Sequence, residues 1–247
     1  MTNPAAAALI IGNEILTGRT RDENLGAIAA RLLPLGIRLS EARIVPDTLD
    51  AIVAAVNDLR ARHDYVFTTG GIGPTHDDIT AEAVAKAFGL PLLLDQAARA
   101  RLLQHYGPEH LTEARRRMAQ IPEGAALIDN PVSAAPGFRI GNVYVLAGVP
   151  EIMRAMLDGI VAELRTGPAW LSRTINCHVA ESLIAPELGA IAAAFPDCDI
   201  GSYPWFQLGK YGLALVVRST DAARMDEAAA QILACVRLRD PEAKMSG

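Results

Sequence analysis

Two kinds of apolar pattern alternate along this chain: short unbroken apolar runs, and longer stretches with apolar residues every three or four positions. Ala5 to Ile11 is a short apolar run ending at Gly12 and predicts a buried strand. Asn24 to Leu35 sets Leu25, Ile28, Ala29, Leu32 and Leu33 on one helical face, and Pro34 and Gly36 end that helix. Ile37 to Val45 predicts a second strand, and Leu49 to Leu59 a second helix with Ile52, Val53 and Val56 inward. Tyr65 to Thr69 predicts a third strand that feeds a glycine-rich loop, and a helix follows from about Ile79 to Phe88. Strand and helix alternate in this way through Leu93, the pattern of a parallel sheet with helices on both faces.

Gln96 to Gln120 reads as helical, with the basic cluster Arg115-Arg116-Arg117 making part of it a solvated excursion. Short strands are expected near Ala126–Ile128, Phe138–Ile140 and Val143–Ala147. The last of these enters Gly148-Val149-Pro150 and a helix from Glu151 to Leu164. Thr166-Gly167-Pro168 reads as a linker, which predicts domains over residues 1–166 and 169–240. Beyond it the order is strand (Ser172–Val179), helix (Glu181–Phe195), two strands (Ile200–Tyr203 and Tyr211–Val217) and helix (Ala222–Val236). A small antiparallel sheet with two helices on one face satisfies that order. The expected fold class is therefore a three-layer, mostly parallel α/β domain followed by a small α+β domain.

The 247 residues suffice for one such pair of domains, and no apolar run is long enough to cross a bilayer. Met1-Thr2-Asn3-Pro4 lacks a basic leader region and a cleavage site, so the expected location is cytoplasmic rather than secreted. Cys177, Cys198 and Cys235 are odd in number and far apart, which fits neither a metal quartet nor a disulfide framework. A formal net charge of −5 excludes a general nucleic-acid binder but leaves room for a local site for a small anion.

Three loops follow predicted parallel strands, and ligands of open α/β sheets sit at the carboxyl ends of such strands. The first runs Thr69-Gly70-Gly71-Ile72-Gly73-Pro74-Thr75-His76-Asp77-Asp78-Ile79-Thr80. Its glycines permit positive φ and close approach, and consecutive N–H groups ahead of a helix make an anion nest. Asp77 and Asp78 would repel a phosphate there unless a divalent cation sits between them. The competing account is a glycine-rich turn with Asp78 as a plain cap, and His76 is read as a ligand or as a bystander. The second loop, Gly12 to Asn24, is long and polar, and offers Glu14 and Asp22 for metal or hydroxyl contacts. It reads equally as a solvated loop in which Asp22 or Asn24 caps the helix. The third, Gly148-Val149-Pro150-Glu151, opens a helix, and capping alone accounts for Pro150 and Glu151. Asn130 to Phe138 reads as a ligand lip or as a mere connection.

At these stretches the sequence resembles the CinA-like (competence/damage-inducible protein A) branch of the molybdopterin-binding MoaB/Mog domains. The Thr69–Thr80 segment matches its signature. Glu14-x-Leu16-x-Gly18 with Asp22-x-Asn24, Asn130-Pro131 with Ala135-Pro136-Gly137-Phe138, and Gly148-Val149-Pro150-Glu151-x-Met153 fit in order and spacing. The resemblance covers roughly residues 5 to 165. Residues 170 to 240, including Ile200-Gly201-Ser202-Tyr203-Pro204, are similar to the small domain that follows in CinA-like proteins, and also to part of eukaryotic FAD synthases. It implies that Thr69, Gly70, Gly71, Gly73, Pro74, Thr75, Thr80, Asn24, Gly148, Pro150 and Glu151 contact a small phosphate ligand. It further implies that Asp77, Asp78 and Asp22 hold a divalent metal (magnesium, cobalt or manganese), and that Asp78, Asp77 and Glu14 serve catalysis. The chain departs from full-length CinA in ending near residue 247, where an amidase domain is expected to be missing. It departs from small molybdenum-cofactor proteins by its extra domain.

Relatives of this kind divide by activity. Some bind or adenylylate molybdopterin, CinA-like members are credited with splitting dinucleotide pyrophosphates such as ADP-ribose, and the FAD-synthase portion with FAD hydrolysis. The expected functions are therefore a metal-dependent nucleotide pyrophosphatase or, alternatively, a non-catalytic pterin-binding module. The same resemblance, with the core-rich composition, predicts a homo-oligomer, and the net charge and lack of a long apolar run predict no nucleic-acid or membrane partner.

Overall fold

The computed structural model describes residues 3–207 and 209–246, and the chain divides between Gly167 and Pro168 into two compact units. The first unit is a three-layer α/β sandwich. Its strands β1 (Ala5–Ile11), β2 (Arg38–Val45), β3 (Tyr65–Thr69), β6 (Ala126–Ile128), β7 (Gly137–Ile140) and β8 (Val143–Leu146) form one sheet in the order β2-β1-β3-β8-β7-β6. The first four are parallel, and β8, β7 and β6 pair antiparallel as a meander. Two short strands, β4 (Leu92–Leu94) and β5 (Gln120–Pro122), pair apart from this sheet.

The burial pattern explains the apolar pattern. β1 lies between two parallel neighbours with a helical layer on each face, so it is apolar without interruption. β2 is an edge strand, and its burial alternates along its length. A one-turn helix α1 (Asn13–Leu16) follows β1. Ala7, Leu9 and Ile11 point to one face, where they pack with α3 (Leu49–Arg62), α4 (Thr80–Phe88) and α5 (Gln96–Tyr106) through Ile52, Val56, Val84 and Leu102. On the other face, α2 (Asn24–Leu32) and α7 (Pro150–Ile160) bury Ile28, Leu32, Met153, Met156 and Leu157 against Ala6, Phe67 and Leu146.

The stretch 96–120 corrects the single helix expected there. Gly107 takes φ +78 and Pro108 supplies no N–H, so α5 stops at Tyr106. A short helix α6 (Glu113–Arg117) follows, capped by the Thr112 hydroxyl, before the chain extends into β5. The arginine cluster sits on this excursion, with the Arg115 guanidinium 4.1 Å from the centre of the Tyr106 ring.

The second unit is a four-stranded antiparallel sheet of β9 (Leu171–Cys177), β10 (Asp199–Gln207), β11 (Lys210–Ser219) and β12 (Lys244–Ser246), in the order β10-β11-β9-β12. Ile175, Leu213, Leu215 and Val217 pack against α9 (Ala222–Arg237) and, more loosely, α8 (Ala185–Ala194). The helix expected over 181–195 is instead a short turn at Glu181–Leu183 and then α8, because Pro186 favours a fresh helix start. β12 was not expected; it is a three-residue strand whose residues are all exposed. Among the described residues no helix is long and apolar enough to cross a membrane.

Candidate functional site

The chain leaves β1 toward α2 on one face, and leaves β3 toward α4 on the other. The loops after β1 and β3 therefore part at one point of the sheet, a topological switch. A cleft of about 540 Å³ opens there, at the carboxyl ends of the four parallel strands. Ile11 and Glu14 after β1, Asp47 after β2, Gly70 to Thr75 with Asp77 and Asp78 after β3, and Gly148 to Pro150 after β8 line it. Tyr106 and Met118 from the excursion, and Asn130, Ser133 and Ala135 from the loop before β7, complete its walls.

Backbone constraint shapes the glycine loop. Gly70 takes φ +101, and a Cβ there would lie 2.1 Å from the Ile11 carbonyl oxygen. Gly71 takes φ +67, and its Cβ would lie 2.2 Å from Thr80 Oγ1. Thr80 is buried, and it folds the loop back by donating its hydroxyl to the Gly70 carbonyl (2.9 Å) and its N–H to that of Gly71 (3.0 Å). Among the described residues, the N–H groups of Gly71, Ile72 and Gly73 find no acceptor. Three consecutive free N–H groups at a cleft wall form an anion nest.

The carboxylates are gathered rather than scattered. Thr75 Oγ1 lies 2.5 Å from Asp77 Oδ1 and 2.6 Å from Asp78 Oδ2, and the Thr75 N–H also donates to Asp78 Oδ2 (2.8 Å). A hydroxyl carries one proton, so two carboxylates compete for it. The Thr75 hydroxyl, then a local backbone N–H, and lastly the nearby His76 ring hold the Asp77 carboxyl below the usual aspartate value, against a small opposing effect of burial. His76 itself is 96% exposed, with its Nδ1 3.9 Å from Asp77. Asp47, also on the cleft, accepts the Asn13 N–H (2.7 Å). The described lining thus carries four carboxylates, from Glu14, Asp47, Asp77 and Asp78, and no lysine or arginine.

Of the residues singled out in the sequence, Glu14, Gly70, Gly71, Gly73, Pro74, Thr75, Asp77, Asp78, Gly148 and Pro150 meet at this cleft. Five do not line it. Thr80 supports the loop from beneath. Thr69 is buried at the end of β3. Asn24 donates its amide to the Gly148 carbonyl (2.7 Å), bracing one loop against another. Asp22 accepts the Leu25 N–H (2.9 Å) and the Asn24 N–H (3.3 Å), capping α2 away from Asp77 and Asp78. Glu151 is exposed in the first turn of α7. Sequence reasoning missed Asp47 and Tyr106. Asp47 could have been found as an acidic residue just past a parallel strand; nothing local marks Tyr106.

The Asn130 lip is self-braced. Its side-chain oxygen accepts the Val132 and Ser133 N–H groups, and its amide donates to Ser133 Oγ and the Ala135 carbonyl. Among the described residues no group of three or more histidines, cysteines or acids is arranged to hold a metal ion by itself.

Residues 7–166 match the family described as "Probable molybdopterin binding domain", and residues 169–239 match "FAD synthase, middle domain". A protein of Aeropyrum pernix is 35% identical over 243 residues, covering 94% of this chain and 90% of its own length. A CinA-like protein of Citrifermentans bemidjiense is 42% identical over 202 residues, 77% of this chain and 49% of that protein. The chain thus spans about half the length of that relative. The crystal structure of CinA from Thermoplasma acidophilum, described as of unknown function, superposes with a TM-score of 0.63 at 37% identity, over 66% of this chain and 99% of that one.

Proposed function

We infer, for a chain that belongs to the CinA-like branch of the molybdopterin-binding domain family, that the cleft grips a phosphate of a pterin or nucleotide diphosphate together with a divalent cation. The observation that carries this reading is the run of free N–H groups at Gly71, Ile72 and Gly73 beside two clustered carboxylates. The N–H groups suit anionic oxygens, whereas the carboxylates repel them.

The residues present fit a cation that reconciles the two. Asp77 and Asp78 share one hydroxyl proton, so this corner is short of positive charge. Carboxylate and hydroxyl oxygens are hard donors, the set that magnesium and manganese favour, and cobalt accepts them too. Magnesium is commonly held by one or two carboxylates with substrate phosphates completing the shell, so two aspartates are enough. Asp22 is outside this set, because it caps α2. A bound cation would neutralise charge on the phosphate oxygens.

In its catalytic form this site hydrolyses a diphosphate linkage of the ADP-ribose or FAD type. Water attacks one phosphorus, the bond from that phosphorus to the bridging oxygen breaks, and that oxygen leaves with the other phosphate. Glu14, on the cleft wall, is the carboxylate available to take the water proton. The similarity of residues 169–239 to a FAD synthase middle domain supports a nucleotide as ligand. One observation favours the second reading, a pterin-binding module without turnover. Glu14 accepts no described hydrogen bond from a partner that would orient it as a base.

Incubation with ADP-ribose or FAD and magnesium, manganese or cobalt decides between them. AMP release that requires the metal supports hydrolysis, and metal-dependent binding without AMP supports the module. No binding of a nucleotide or pterin diphosphate under any of these conditions contradicts both.

A further inference from the structure

Beside the cleft, and sharing Ile11, Glu14 and Gly148 with it, lies a smaller cavity of about 60 Å³ that is lined by the buried Asn24 and Thr69 and is open to solvent past the exposed Thr20, Arg21 and Glu23. Two of these side chains are buried without partners. Asn24 is 5% exposed and Thr69 1%, and neither Asn24 Oδ1 nor Thr69 Oγ1 has a hydrogen-bond partner. Turning the Asn24 amide over does not mend this. Its Nδ2 donates to the Gly148 carbonyl at 2.7 Å, and a carbonyl oxygen can only accept, so the amide oxygen must face away. Native interiors rarely leave such groups unsatisfied, because each keeps its full desolvation cost.

We propose that this cavity is a binding site for an ordered water molecule that joins the loop after β1 to the end of β3. Water occupies roughly 30 Å³ in the liquid and makes about three hydrogen bonds when buried, so the volume and polar walls suit one or two molecules. The donor and acceptor count closes for a single water. It accepts the Thr69 hydroxyl proton, donates one hydrogen to Asn24 Oδ1, and has a second hydrogen for the Glu14 carboxylate. Glu14 lines both the cavity and the cleft, so its carboxylate is the third acceptor within the same walls. The proposal does not depend on what fills the cleft.

Thr68 provides an internal control. Its hydroxyl is equally buried and unpartnered, yet it is not a wall of this cavity. Removing an orphaned hydroxyl is neutral or stabilising, whereas removing one that holds a buried water is destabilising. Thermal unfolding should therefore show Thr69→Val melting several degrees below wild type, Thr69→Ser close to it, and Thr68→Val unchanged or higher. Oxygen-17 relaxation dispersion should count at least one fewer long-lived water in Thr69→Val than in wild type. If that variant fails to fold, a well-resolved crystal structure of the wild type serves. Density within hydrogen-bond distance of both Asn24 Oδ1 and Thr69 Oγ1 supports the site. Three results overturn it. One is Thr69→Val with wild-type melting and water count, and another is a dry cavity in that map. The third is wild-type melting that differs between potassium and choline chloride at equal ionic strength, with the difference lost in Thr69→Val, which assigns the site to a monovalent cation instead.

Discussion

Replacing Gly70 with alanine tests how closely the glycine loop is built against β1. The new Cβ would lie 2.1 Å from the Ile11 carbonyl oxygen. Neither side can easily retreat. β1 is paired with β2 through Ile11 and with β3 through Ile10, and the Gly70 N–H donates to Leu146 (3.3 Å). A side chain at φ +101 costs about 1–3 kcal/mol in backbone strain, and forcing apart packed atoms adds about 1–3 kcal/mol. The sum, about 2–6 kcal/mol, lowers Tm by roughly 4–24 °C, at about 2–4 °C per kcal/mol for a chain of this size. Two other glycines calibrate the scale. Gly18 takes φ +72 with open space around its missing Cβ, so Gly18→Ala costs only the left-handed penalty of about 1–2 kcal/mol. Gly26 lies exposed in α2 with open space, so Gly26→Ala gains about 0.5–1 kcal/mol. Differential scanning calorimetry on the three variants should order them Gly26→Ala, wild type, Gly18→Ala, Gly70→Ala from highest Tm to lowest. If Gly70→Ala melts no lower than Gly18→Ala, the close approach of the loop to β1 is not what holds it.

Asp78→Ala should lower stability by only about 1 kcal/mol, since it removes hydrogen bonds within an exposed turn. It should weaken metal-supported binding of a diphosphate a hundredfold or more; wild-type affinity and turnover would leave Asp78 a plain cap. Because the Thr75 hydroxyl is the chief cause of the depressed Asp77 value, Thr75→Val should move the Asp77 titration, followed by carboxyl NMR, back toward the ordinary aspartate range. The sign for stability is that of a depressed carboxylate. The Asp77 contribution is complete above the usual aspartate pKa and fades as pH falls through the depressed one, so Thr75→Val should flatten the acid limb of stability against pH. An unmoved Asp77 titration contradicts that assignment.

The sequence patterns located most elements of the first unit because burial there is one- or two-sided in a regular way. The uninterrupted apolar run of β1 and the helical spacing of Ile28 and Leu32 report their surroundings directly. The excursion at 96–120 was misread because helical spacing continues through it, while Gly107-Pro108 breaks the backbone. β12 escaped notice because all three of its residues are exposed, so its pairing with β9 leaves no apolar trace. At the site, local motifs marked the loops but not the direction of each side chain. Thr69, Thr80, Asn24 and Asp22 are spent on support and capping, which only tertiary contacts reveal. Tyr106 reaches the cleft because the chain turns at Gly107, a consequence of topology rather than of nearby sequence.

The most direct test of the central claim is a calorimetric titration with ADP-ribose, first in excess EDTA and then in excess magnesium or cobalt. No lysine or arginine occurs between Phe67 and Lys86, and none is among the described lining of the cleft. A phosphate there must rely on backbone N–H groups and a cation. Two like charges about 4 Å apart repel by roughly 4 kcal/mol at an effective dielectric near 20, which is close to a thousandfold in affinity. The account predicts binding in the presence of metal and almost none in EDTA. Equal affinity in both would mean that Asp77 and Asp78 do not face the ligand, and would contradict the account.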